Sequence, residues 1–101
     1  MPVLSAEAVT TRLAGLAGWS VQSGPLVKTY QVRSFAHGVL LIGAIAQLAE
    51  AANHHPDLML RNYNQVTVSL FTHSAGGLTE KDFDLAAAIN ALPQKPPKPE
   101  A

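Results

Sequence analysis

The 101-residue chain contains no cysteine. That excludes a disulfide framework and any metal site built on thiolates, and it fits a reducing compartment. Net charge is missing too, since seven basic residues balance seven acidic ones. With no basic stripe to neutralise a phosphate backbone, nucleic-acid binding by charge is not expected. The N-terminal MPVLSAEAV has no basic segment ahead of an apolar core, so no secretory signal is expected. The apolar stretch 39–52 is broken by Gln47 and Glu50 and is shorter than the roughly 20 residues that span a bilayer. Neither a glycine loop with phosphate-binding spacing nor a serine or cysteine nucleophile on a strand-to-helix elbow is present. A soluble, cytoplasmic protein without membrane attachment is the expectation.

What is there is apolar material, 48% of residues against 14% charged, enough to bury a core. One domain over residues 1–92 is predicted, followed by a proline-rich tail, 93–101, that can neither continue a helix nor pack. A domain this small buries a limited share of its surface, which makes self-association a natural supplement.

Ser5 caps a predicted helix running to about Ala17, with Val9, Leu13 and Leu16 on one face. Alternation predicts strands over 19–22 and 26–33, joined through Ser23-Gly24-Pro25 as an antiparallel hairpin. Residues 34–53 form the longest predicted helix, with two apolar stripes: Val39, Ile42, Ala46 and Ala49, and Leu41, Ile45, Leu48 and Ala52. So wide a surface exceeds what one sheet contact needs. Pro56 stops it. Strands follow over 57–61 and 66–73. On the last, Thr67, Ser69, Phe71 and His73 share one parity. Thr79 to Asp82 is a capping box opening a third helix, with Phe83, Ala86, Ala87 and Ile89 on its core face. The predicted fold is α+β, α-β-β-α-β-β-α, with a four-stranded antiparallel sheet covered on one face by helices.

Groups that titrate near neutral pH concentrate in residues 50–73, which hold three of the four histidines. Glu50 and His54 are four apart and share a helix face; His55 lies about a quarter turn away. His73 closes the last strand, beside Thr72, and Asp82 opens the helix nine residues on. Each has a plainer reading: a helix C-cap for the histidine pair, a surface strand residue for His73, a cap for Asp82, a solvated charge for Glu50. His37 has no partner and reads as structural. Adjacent histidines diverge and chelate poorly, unlike those of HExxH, so no metal is expected. Metal-free acid–base catalysis by imidazoles remains.

Glu50-x-x-x-His54-His55-Pro56, with Tyr63-Asn64-x-Val66, Thr72-His73 and Gly77-Leu78-Thr79-x-x-Asp82, resembles the signature of the pterin-4a-carbinolamine dehydratases. The resemblance covers residues 5–92 and implies the same α-β-β-α-β-β-α fold. It implies dehydration of 4a-hydroxytetrahydropterin to quinonoid dihydropterin, recycling the tetrahydropterin after aromatic amino-acid hydroxylation. No cofactor is implied; the expected partners are the pterin substrate, an aromatic amino-acid hydroxylase and further copies of the chain, as homodimer or homotetramer. It further implies His54, His55, His73 and Asp82 as catalytic residues, with His54 and His73 transferring protons and His55 binding or orienting substrate. Asp82 would orient a histidine or contact the pterin, Glu50 would tune His54, and Pro56 and Thr72 would shape the pocket.

Two positions depart from the pattern. Asn53 stands where some members carry an acidic residue. Leu58 stands where some carry an aromatic, which removes a stacking surface for the pterin ring. Relatives of the family also act as non-enzymatic dimerisation or assembly-factor modules. Those that assemble tend to lose the histidines, whereas this chain keeps all three.

Overall fold

The computed structural model describes residues 2–93. The tail expected over 93–101 lies, apart from Pro93, outside them. Three helices, α1 (Ala6–Ala14), α2 (Phe35–Ala52) and α3 (Glu80–Asn90), alternate with four strands, β1 (Ser20–Val21), β2 (Leu26–Gln31), β3 (Asp57–Arg61) and β4 (Gln65–Leu70). The order is the predicted α-β-β-α-β-β-α, and the strands form one antiparallel sheet in the order β1-β2-β4-β3.

Period-two alternation decides the sheet. Leu26, Tyr30 and Val32 on one side, and Val66, Val68 and Leu70 beside them, are all buried under the helices. Their neighbours Thr29 and Thr67 stand paired on the opposite, uncovered face with hydroxyls 2.8 Å apart. In α2 the buried stripe is Gly38, Leu41, Ile45 and Ala49, on a helix that packs against β3, β4 and α3. Each large apolar side chain so buried contributes about 1.5–3 kcal/mol. Gly38 leaves room for the strand side chains: a Cβ there would lie 2.8 Å from Leu60 Cδ1. Of the stripe Val39, Ile42, Ala46 and Ala49 only Ala49 is buried, Val39 is 50% exposed, and Phe35 and Leu40 beside it are more exposed still. α2 has the length and hydropathy of a membrane span, yet it packs against β3, β4 and α3.

Element ends differ from the sequence reading for local reasons. α1 stops at Ala14, and Gly15 and Leu16 close it by bonding back to the carbonyls of Arg12 and Leu13. β4 ends at Leu70, because the chain turns so that Thr72 pairs with Gly77, with Gly76 at φ 75° inside the turn. Ala87, expected in the core, is exposed, and Leu85 is buried instead.

Candidate active site

Four chain segments meet at one end of the sheet: the C-terminus of α2, the start of β3, the turn after β4 and the first turn of α3. The α2 end is built on Asn53, which adopts the left-handed conformation (φ 49°, ψ 45°). Its N–H donates to the Glu50 carbonyl at 3.2 Å and that of His54 to the Ala49 carbonyl at 3.1 Å. These two bonds make the Schellman arrangement, usually closed by glycine. The reversal at Asn53 takes His54 out of the helix, so the i, i+4 pairing expected between Glu50 and His54 does not form. Glu50 lies instead beside His55, its Oε1 3.7 Å from His55 Nε2, with both side chains more than half exposed.

His54 turns inward. Its Nε2 lies 2.6 Å from Asp82 Oδ1, and Asp82 is fully buried. Asp82 Oδ2 accepts from the Thr72 hydroxyl at 2.7 Å and from the Thr79 N–H at 2.9 Å. Thr72 spends its one proton on Asp82, so in the 2.8 Å contact between the two threonines Thr79 is the donor. A carboxylate so placed is an acceptor, which makes His54 Nε2 the N–H donor and leaves Nδ1 as the atom free to exchange a proton. Asp82 thus caps α3 through Oδ2 and holds His54 through Oδ1. A buried carboxylate with three donors is tolerable where an unpaired one would not be.

His55 and His73 are exposed; His73 packs edge-on against Phe71, ring centres 5.0 Å apart. Two adjoining concavities share His55, Phe71 and His73. One, an open groove of about 420 Å³, also takes in Asn53, His54, Thr72, Ser74 and Lys81. The other, about 280 Å³ and half enclosed, lies against the uncovered face of the sheet, between the turn 23–25, Asp57 and Ser69. The first, at 420 Å³, is in the size range of small-molecule sites, about 300–1,000 Å³; the second falls just below it.

The structure thus brings His54, His55, His73, Thr72 and Asp82 to one place. Pro56 lines neither concavity; it sits between the α2 cap and β3, where its ring bars further helix. His37 bonds through Nδ1 to Ser34 Oγ at 2.7 Å and belongs to the α2 N-cap. Leu58 packs on the core side, opposite Val68. An aromatic there would not have faced the cavity, whereas the half-buried Phe71 lines it. Phe71, Asp57 and Lys81 were not singled out from the sequence, although the shared parity of Ser69, Phe71 and His73 was the signal for the first. Among the described residues, no three His, Asp or Glu side chains converge as a metal-binding group.

The model of the family described as pterin 4 alpha carbinolamine dehydratase matches residues 2–92. A protein of Chloroflexus aurantiacus (strain ATCC 29366 / DSM 635 / J-10-fl), named "Putative pterin-4-alpha-carbinolamine dehydratase", is 46% identical over 92 residues, 91% of this chain and 98% of its own. One of the same name from Roseiflexus sp. (strain RS-1) is 47% identical over 89 residues, 88% and 95% of the two chains. Among solved structures, a transcriptional coactivator/pterin dehydratase from Brucella melitensis superposes with a TM-score of 0.82 at 31% identity, covering 88% of this chain and 96% of that one. A pterin dehydratase-like protein identified as a RuBisCO assembly factor in the alpha-carboxysome has the same fold, with a TM-score of 0.57 at 23% identity over 72% and 83% of the two chains. This chain belongs to the pterin-4a-carbinolamine dehydratase family.

Proposed function

We propose that the protein dehydrates 4a-hydroxytetrahydropterin to the quinonoid dihydropterin by acid–base catalysis. The observation that carries this reading is the buried Asp82–His54 pair, whose histidine lines a groove together with His55 and His73. In the reaction the C4a–O bond breaks and the N5 lone pair forms the C4a=N5 bond. A base takes the N5 proton, and an acid gives a proton to the departing hydroxyl, which leaves as water. His54 suits the base: on accepting a proton at Nδ1 it becomes an imidazolium whose charge the Asp82 carboxylate balances. His73, at the solvent edge, suits the acid. His55, with Glu50 beside it, binds and orients. Asp82 acts through His54 and is a positioning residue, supported by Thr72.

The rate of decay of 4a-hydroxytetrahydropterin in stopped-flow absorbance tests this. Wild-type protein is expected to accelerate it, and His54→Ala and His73→Ala each to lose about 10²–10⁴-fold while folding normally. Wild-type-like rates in both single variants would remove the acid–base assignment. The physiological setting we propose is recycling of the cofactor of an aromatic amino-acid hydroxylase in the cytoplasm.

A second reading, a binding module, is favoured by the exposed apolar residues Phe35, Val39 and Leu40 on α2. We propose that this face is covered by self-association, as a homodimer or homotetramer, which is compatible with catalysis in each subunit.

A further inference from the structure

The half-enclosed cavity on the sheet face holds a carboxylate that the dehydration chemistry above does not use. Asp57 opens β3 directly opposite Ser69 of β4, and residues so paired project to the same side of an antiparallel sheet. That side is the uncovered one, where Phe71 and His73 follow at alternate positions. Asp57, Ser69, Phe71, His55 and His73 thus line one cavity. Asp57 is exposed to it and, among the described residues, takes part in no ion pair and no side-chain hydrogen bond. Four acceptor lone pairs face the space beside an aromatic ring and two imidazoles.

We propose that Asp57 is the specificity-determining residue of this site, accepting the paired N3–H and 2-amino donors of a pterin ring laid beside Phe71. This rests on the dehydratase reading. The two donors are adjacent and point the same way, which is the geometry a carboxylate meets with two parallel hydrogen bonds. C4a lies directly across the pyrimidine ring from C2. A ring anchored by its C2 edge at Asp57 therefore turns its reacting edge away from the carboxylate. The cavity adjoins the groove through His55, Phe71 and His73, so that edge is directed to the side on which His54 stands. The same carboxylate disfavours any bicycle with an acceptor at C2, since two acceptors would be forced together.

Isothermal titration with pterin and with lumazine, which carries a 2-oxo group in place of the 2-amino group, tests the assignment without turnover. Wild-type protein is expected to prefer pterin by about 10- to 100-fold, the worth of charge-assisted hydrogen bonds. Asp57→Asn and Asp57→Ser are expected to bring pterin binding down to the level of lumazine. Retention of the preference in both variants, or equal binding of the two ligands by wild type, would overturn the assignment. So would an equal loss of both ligands in the variants, which would mean that Asp57 shapes the cavity without reading the ring. A wild-type protein that discriminates the ligands but does not accelerate dehydration would refute the dehydratase reading and leave the role of Asp57 standing.

Discussion

Asp82 has two readings that look like rivals in the sequence, a helix cap and a partner of the histidines. Its oxygens make one contact of each kind, Oδ2 to the Thr79 N–H and Oδ1 to His54. Asn53 is similar: read as the loss of a charge beside the histidines, it is the residue that ends α2 in a left-handed turn and so releases His54 toward Asp82. Asparagine tolerates that conformation better than other residues with a Cβ. Asn53→Gly is expected to keep the stability of the wild type to within a few tenths of a kcal/mol, and Asn53→Ala to cost about 1 kcal/mol. Chemical denaturation midpoints check this; equal midpoints in both variants would mean the cap carries no strain.

At the scale of elements, one amide ties the layers together away from the site. Asn90 Oδ1, at the end of α3, accepts from Trp19 Nε1 at 3.0 Å, from Lys28 Nζ at 2.9 Å and from the Tyr30 hydroxyl at 2.5 Å. Tyr30 is 5% exposed, and burial pushes its pKa from 10.0 up to about 12. The unfolded chain releases that proton from pH 10.0 while the folded chain holds it to about 12. The associated stability is therefore whole below pH 10.0 and declines toward pH 12. At about 1.4 kcal/mol per pKa unit, the decline is about 2–3 kcal/mol. Lys28, whose pKa burial lowers, works in the opposite sense just below its ordinary value and softens the upper edge. Unfolding midpoints measured across this range are expected to fall in the wild type and to flatten in Tyr30→Phe. A wild type with no decline contradicts the burial argument.

For the molecule as a whole, the elements were legible because apolar residues repeat at two in the strands and at three to four in the helices, and tight turns separate them. The strand ends and the helix cap were less so, since they depend on the Thr72–Gly77 pairing and on the φ of Asn53. Within the site, the cluster of His54, His55, His73 and Asp82 was legible from residue types and their resemblance to a family pattern. Which histidine meets which carboxylate was not, because the partner of His54 arrives from α3, 28 residues away, and Glu50 is left to His55. The helix face bearing Leu40, 69% exposed, belongs to this scale too. Leu40→Glu is expected to lower the mass found by sedimentation equilibrium by at least half, with the fold intact. An unchanged mass would place any subunit contact elsewhere.

In the proposed function Asp82 acts on dehydration through His54. Single-turnover dehydration rates of wild type, His54→Gln, Asp82→Asn and the double variant, in one mutant cycle, test it most directly. Each single change is expected to slow the reaction by at least about 100-fold and the second to add little to the first, as for residues that work as a unit. Fully multiplicative losses, or a fast double variant, would contradict it.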